Sequence, residues 1–414
     1  MSLTKATYSM VQGAPVNVLD FMSDAQKADV LSNTGSVDVT APIAAAIATL
    51  GNIGTSTGGG VVVFPKGTYL CNIALVGTVN NSVGEYGIKL SGYGATLKGR
   101  VADKSIITVN GCVPNVADPN PNGSIYVNGV VIEGFTFVMT LMAVSGTAAI
   151  AAQHMYNSSL NDLHVVGGKL GMYAGSQCYT WVVSNLNCEQ IKIAGFDNEN
   201  LTTSFTFLGL VANQVILQNV FSISFFGGVI QGSLDHFYML NDCQAITVSG
   251  MDLEAVSSAH IYNFGANCRY ITSIGNQVTG VTPTTYQSGI AYNCNFLDRP
   301  SLTSTTNNVG LYGKTSSMAK ASLSTTPVPI YYFLDSSQAT ALVLVTGDNG
   351  TNGFQDLIMV FGAFVTVIKS QNLYGVAPTR TYNSDVGSST LLMNVSSGTY
   401  SIRPVLMEFL NSVV

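Results

Sequence analysis

Four short segments share one plan: N-C-E-Q-I at Asn187, N-Q-V-I-L at Asn213, N-C-R-Y-I at Asn267 and N-C-N-F-L at Asn293 each open on asparagine and place an aliphatic residue four positions on. Asparagine recurs at Asn161, Asn187, Asn213, Asn241, Asn267 and Asn293, spacings of 26, 26, 28, 26 and 26 residues. Asn241 slips by one, with Ile246 five positions on. Cys188, Cys243, Cys268 and Cys294 share the frame, and Gly195, Gly250 and Gly275 close the same short strand. A unit of this length, rich in β-branched residues and Gly, cannot bury its own apolar side, whereas stacked units bury a continuous column. The spacing predicts an all-β chain built on a parallel β-helix of about 26 residues per coil. Strands stacked about 4.8 Å apart let an Asn bond to the Asn above and below. The Asn column therefore reads as a structural ladder, and the Cys column as small buried hydrophobes.

Outward from these coils the chain divides into four stretches. Residues 1–57 hold a short arm and an amphipathic helix over Pro42–Leu50, which would cap the open end of the coil stack. Residues 58–300 form the β-helix, irregular to about Gly146 and regular to about Arg299, and a Ser/Thr/Asn-rich linker follows over 301–322. Beyond it the period is lost. Ala341–Thr346, Leu357–Ile368, Thr390–Val395 and Tyr400–Phe409 read as strands of a separate β-sandwich over 323–414.

Composition narrows the partners. Only 9% of the 414 residues are charged and 47% are apolar, so the polar surface must be Ser, Thr, Asn, Gln and Gly, which excludes a disordered chain and a helical bundle. Mean hydropathy is +0.33, yet the longest apolar run, Leu357–Ile368, is too short to span a bilayer as a helix. No membrane insertion is expected. A net charge of −6 with scattered Lys and Arg gives no footprint for nucleic acid. Seven cysteines without a C-x-x-C pair suggest buried thiols, and no cofactor or metal motif stands out. The opening residues show no secretory leader, so synthesis in a cytoplasm is expected. A neutral, hydroxyl- and amide-rich surface fits a carbohydrate partner.

Three segments together carry a resemblance: A-T-Y-S-M-V-Q-G-A-P-V-N-V-L-D-F from Ala6, A-P-I-A-A-A-I from Ala41 and G-G-G-V-V-V-F-P-K-G-T-Y-L from Gly58. They resemble the opening of bacteriophage tailspike and tail fibre proteins with a pectate-lyase-like right-handed parallel β-helix. The chain departs from that pattern at S-N-T-G-S-V-D-V-T, from Ser32, where enzymes with this opening usually carry an acidic G-D-G-x-x-D-D-T segment. The resemblance implies a homotrimer in a phage virion, made in the host cytoplasm, with a C-terminal domain that locks the trimer or touches the receptor. It also implies an N-terminal arm attached to a tail or baseplate protein, and recognition or cleavage of a bacterial surface polysaccharide, capsule or O-antigen.

Glycosidic hydrolysis needs two carboxylates, one to protonate the leaving oxygen and one as base or nucleophile. G-F-D-N-E from Gly195 and G-M-D-L-E from Gly250 repeat one acidic pattern and make Asp197, Glu199, Asp252 and Glu254 the catalytic candidates, Glu254 and Asp252 central. Leu253 should point inward with Met251 and turn Asp252 and Glu254 outward. Equivalent acids two coils apart would lie about 9.6 Å from one another and i, i+2 acids about 6.6 Å, near the window of inverting enzymes. Asp235 is a further candidate, and Gln231 of G-V-I-Q-G would supply a neutral rung between the acidic ones. The alternation H-F-Y at His236 and H-I-Y at His260 would turn His236, Tyr238, His260 and Tyr262 outward as a sugar-binding strip. Arg269 would neutralise a uronic carboxylate, and Trp181 serves as stacking platform or core. Against this stand a bland reading, in which the acids are solvated residues on the coil surface, and two other activities: a non-catalytic receptor-binding fibre, or a polysaccharide lyase with His260 or Tyr262 as base.

Overall fold

A computed structural model describes residues 14–51, 59–79, 87–101, 104–118, 125–139, 146–195, 202–232, 236–255, 260–279, 287–288, 291–292, 295–300, 319–321, 328–332, 340–348, 351–361, 364–375, 379–385, 390–395 and 400–410. The chain forms two compact units, Met1–Asp252 and Leu253–Val414.

The first unit is a stack of parallel strands, the parallel β-helix the repeat pointed to. It begins earlier than the G-G-G-V-V-V segment, because Val16–Asn17 already pairs with Val62–Val63. The helix α2 covers Thr40–Ala48 and buries Ile43, Ala46 and Ile47. A helix absent from the sequence reading, α1 over Asp24–Leu31, precedes it. Its signal is legible: Ser23 accepts from the Gln26 amide while the Gln26 side chain accepts from the Ser23 amide, a reciprocal cap spelled S-x-x-Q.

Strand register corrects the 26-residue period. Glu133 lies level with Asn161, Asn161 with Ser184, Ser184 with Leu208, Leu208 with Phe226 and Phe226 with Ser249, steps of 28, 23, 24, 18 and 23 residues. Asn187 accordingly faces Val211 rather than Asn213, and Asn241 faces Gln218, so Asn161, Asn187, Asn213 and Asn241 form no ladder. The cross-coil polar pairs that do form follow the true step. Ser184 Oγ donates to Asn161 Oδ1 at 2.7 Å, Asn185 Nδ2 to Asp162 Oδ1 at 2.8 Å and Asn213 Nδ2 to Glu189 Oε2 at 2.7 Å, and Gln190 donates to Gln214.

What sets the register is the interior. Ser158, Trp181, Phe205, Ile223 and Ile246 stand in one column, and Leu160, Val183, Phe207, Phe225 and Val248 in the next. The ten are buried, and Phe207 and Phe225 stack with centroids 4.7 Å apart. Each large apolar side chain so enclosed contributes about 1.5–3 kcal/mol over exposure, and a slip of one residue would turn the whole column to solvent. The corners are equally regular. Gly134, Asp162, Asn185, Gly209, Gly227 and Gly250 occupy one level position and all have positive φ, between 51° and 74°. A second column, Asn157, Thr180, Ser204, Ser222 and Ala245, does the same at 45–64°. One left-handed residue bends the strand into the next face of the coil, and Gly, Asn and Asp tolerate it best. The six cysteines among the described residues are buried and form no disulfide; Cys294 lies outside those residues.

In the second unit parallel pairing persists where Cys268–Thr279 meets Ala291–Tyr292 and Asn295–Pro300. Two antiparallel sheets follow. One has five strands, ordered Ala319–Ala321, Tyr400–Leu410, Thr340–Asp348, Gly353–Phe361 and Phe364–Tyr374. The other sets Thr390–Val395 between Val328–Tyr332 and Arg380–Asp385. Two expectations change here. Leu357–Ile368 is not one strand but parts of two that pair at Phe361 and Phe364, and the end of the expected linker, Ala319–Ala321, is a strand paired with Tyr400–Ile402.

Candidate functional site

On the wall of the first unit a cavity of ≈ 230 Å³ is lined by Asn115, Val116, Ala117, Asp118, Gln153, Tyr173, Gly175, Ser176, Lys192, Ala194, Gly195 and Gln218. Its floor is strand and its rim is loop. Tyr173 and Lys192 are level neighbours on successive strands, Leu170–Ala174 and Gln190–Ala194, and Gln218 lies level with Ala194 on the next. The rim is the segment after Val109. It is pinned at Asn110, whose Nδ2 donates to the Gln153 and His154 carbonyls at 3.2 Å while Gln153 Nε2 donates back to the Asn110 carbonyl at 2.9 Å. Asn110 and Asn115 take φ of 51° and 63°, which lets the segment fold back over the strands.

Asp118 is the acid of the cavity. It is 7% exposed, and its Oδ2 lies 2.6 Å from His154 Nε2, itself on a residue 4% exposed. His154 sits at a corner with φ 50°, donates its amide to the Ser176 carbonyl at 2.9 Å and packs its ring against Tyr126. Its Nδ1 is buried and meets no hydrogen-bond partner among the described residues. Imidazole and carboxyl thus meet in a short hydrogen bond withdrawn from water, with both groups lodged in the polar lining of one cavity. Burial pushes the Tyr173 phenol up to about 12, so at neutral pH it is a hydrogen-bond donor rather than a base. Burial also lowers the Lys192 ammonium below its ordinary range, while its Nζ donates to Asn115 Oδ1 at 2.6 Å.

One corner beside this cavity is unusual. The chain takes 5 residues to turn from Ala174 to Tyr179 and 4 from Leu217 to Phe221, but 10 from Ile193 to Thr203 on the coil between. The extra residues follow Gly195 of the cavity wall, and their sequence, F-D-N-E-N-L, holds Asp197 and Glu199. Both acids lie outside the described residues, as do Asp235 and the side chains of His236 and His260.

The remaining sequence candidates are dispersed. Met251 and Leu253 are buried as expected, while Asp252 and Glu254 are each half-buried. Asp252 Oδ1 is withdrawn from solvent without a hydrogen-bond partner among the described residues. Gly195 and Gly250 do not occupy equivalent positions: Gly195 follows Ala194, level with Gln218, whereas Gly250 follows Ser249, level with Phe226 around the next corner. The equivalence on which the 9.6 Å inter-coil spacing was based therefore does not hold, and Asp197 and Glu199 themselves lie outside the described residues. Gln231 and Arg269 are exposed.

Three surface assignments are corrected. Tyr238 and Tyr262 are 0% exposed and Trp181 1%, so none of them faces a sugar. Trp181 Nε1 donates to the Met155 carbonyl at 2.8 Å and its ring lies 4.9 Å from Phe205, which makes it core. Phe237 and Ile261 are buried beside the tyrosines, so apolar–polar alternation fails at both segments. Among the described residues no group of three or more His, Cys, Asp or Glu side chains is placed to hold a metal ion. Among the described residues no helix is long and apolar enough to cross a membrane.

No family model matches the chain, and no curated protein matches it. Among solved structures it is similar to tailspike protein gp49 of Acinetobacter baumannii bacteriophage Fri1, a capsular polysaccharide depolymerase, at 10% identity and TM-score 0.36 over 96% of this chain and 86% of that one. It is similar to ORF18 of Geobacillus virus E2 at 13% identity and TM-score 0.45, over 93% and 86% of the two chains. It is also similar to the A-module of the Azotobacter vinelandii mannuronan C-5 epimerase AlgE4 at 14% identity and TM-score 0.34, over 68% and 99%.

Proposed function

We propose that this chain recognises a bacterial surface polysaccharide and hydrolyses its glycosidic bonds, as a phage tailspike depolymerase. The observation that carries the reading is the cavity around Asp118, where a buried carboxyl hydrogen-bonded to His154 meets the hydrogen-bonding groups of Gln153, Ser176, Tyr173 and Gln218. Such a lining suits the hydroxyls and ring face of a sugar. In hydrolysis Asp118 delivers a proton to the leaving glycosidic oxygen while a second carboxylate takes a proton from the water that adds to the anomeric carbon. The lengthened corner after Gly195 nominates Asp197 and Glu199 for the second role. Asp252 and Glu254 are the alternative pair, and the inverting outcome now rests on their i, i+2 separation of about 6.6 Å along a strand.

Attachment through the N-terminal arm and assembly as a homotrimer belong to the same proposal. The outermost strand of the five-stranded sheet, Phe364–Tyr374, favours assembly, since Phe364, Val367, Ile368 and Leu373 are exposed along it.

The test is reducing-end release from purified capsules and O-antigens by the wild type, Asp118→Asn, Asp197→Asn, Glu199→Gln and Glu254→Gln. Loss of release in Asp118→Asn, with an unchanged melting temperature, is the expected result. Loss in Glu254→Gln alone moves the chemistry to Asp252 and Glu254. An unsaturated, ultraviolet-absorbing product replaces hydrolysis with elimination, and binding without any product leaves a receptor-binding fibre.

A further inference from the structure

Lys192 has no use in the reaction just proposed. Lys192 is half-buried in the cavity wall, and among the described residues the one hydrogen-bond partner of its ammonium is the neutral Asn115 side chain. An ammonium drawn partly out of water is costly unless a counter-charge accompanies it. Among the described residues the coil stack offers none; Asp197 and Glu199 lie outside them. Ala151, Tyr173, Lys192, Ile216 and Met239 occupy one level position on five successive strands, so the neighbours above and below are uncharged. Asp118, the acid of the cavity, is engaged by His154, and the ion pairs of the described residues join Lys89 to Glu133, Arg100 to Asp38, His154 to Asp118 and Arg380 to Asp356. Lys192 meets no carboxylate among them. Of its three N–H bonds one goes to Asn115 Oδ1 at 2.6 Å, which leaves two for a ligand.

We infer that Lys192 is the receptor for a carboxylate borne by the bound sugar, so that the polysaccharide is an acidic one with hexuronate-type residues. The inference rests on the carbohydrate reading of the cavity and adds the substrate's charge. The carboxylate supplies the missing counter-ion, and a charge-assisted hydrogen bond in a water-poor cleft is the strong kind. The neutral donors Tyr173, Gln153 and Gln218 remain for the hydroxyls. An uncharged sugar would leave the ammonium in the cleft uncompensated, so the site should discriminate by charge before it discriminates by stereochemistry.

The experiment titrates the full chain with D-glucuronate, D-glucose and sulfate while the Lys192 side-chain resonances are followed by NMR of protein labelled with ¹³C-lysine; it also compares each acidic capsule with its carboxyl-reduced form. Glucuronate should shift the Lys192 signal and glucose should not. Lys192→Met should weaken glucuronate by about ten- to a hundredfold, the weight of one charge-assisted hydrogen bond, and Lys192→Arg should retain part of it. Both variants must melt with the wild type to count. Equal response to glucose and glucuronate, glucuronate binding untouched by Lys192→Met, sulfate binding as tight as glucuronate, or no glucuronate binding overturns the inference. Release of reducing ends from neutral capsules alone overturns it and leaves the hydrolase intact, whereas Lys192-dependent glucuronate binding without cleavage of any capsule leaves it standing and defeats the hydrolase.

Discussion

Between Ser158 and Val248 the first unit settles its buried polar atoms one at a time, as in Trp181 Nε1 on the Met155 carbonyl or Thr202 Oγ1 on the Gly175 carbonyl. In the second unit a single carboxylate gathers four donors. Asp356, 1% exposed, accepts from Ser370 Oγ at 2.6 Å, from Arg380 Nε at 2.6 Å and Nη2 at 2.9 Å, and from the Tyr382 hydroxyl, while Arg380 lies 4.2 Å over the Phe354 ring. That carboxylate ties the three-stranded sheet, through Arg380 and Tyr382, to the five-stranded one, through Asp356 and Ser370. Stacked coils spread cohesion over many similar neighbours, so no rung is decisive. Sheets brought together by one network concentrate it.

The contrast is broken most directly by Asp356→Ala, which strands a buried guanidinium and should cost about 3–5 kcal/mol. Denaturation followed by proteolysis should then show the second unit opening first while the coils persist; a chain that unfolds in one step would erase the distinction. Gly227→Ala probes the corner alone, because φ is 63° and nothing lies within 4 Å of an added Cβ. The left-handed conformation should cost about 1–2 kcal/mol, and urea unfolding that shows no change would mean the corners bear no strain. Ile223→Val, fourth in a five-residue column, should lose only about 0.5–1.5 kcal/mol. A much larger loss by the same measurement would make the coils as concentrated as the sheets.

The smallest effect concerns Lys192, whose pKa in the fold lies below the ordinary 10.5. The folded chain sheds this proton first, so stability should rise as pH climbs between the lowered value and 10.5 and stay level below it. Melting temperatures of the wild type minus those of Lys192→Met across that interval check the sign.

The coil architecture was legible because apolar alternation and Gly/Asn corners dominate the text. The period was misjudged for a physical reason: 26 and the 24-residue step from Gln190 to Gln214 differ by two, and a shift of two keeps every side chain on its own face. Ile191 and Leu217 are therefore both inward, yet on different levels. The cavity was illegible. Asp118, His154 and Lys192 come from three coils and form no spaced motif, and His154 sits in an A-A-I-A-A-Q-H-M run that reads as interior. The Tyr238 and Tyr262 strip failed because alternation is a guide to half-exposed strands, and these tyrosines follow residues buried on both sides. Asp197 was chosen for a supposed repeat; the feature that marks it is the corner's surplus length.

The column of left-handed corners can also be considered as a matter of chirality. From Gly134 to Gly250 the backbone at this one position adopts the conformation natural to a D-amino acid, and evolution approximates it with achiral glycine or with Asn and Asp. Gly227, with open space around it, is where a mirror-image residue installed by chemical ligation fits the fold better than its natural enantiomer.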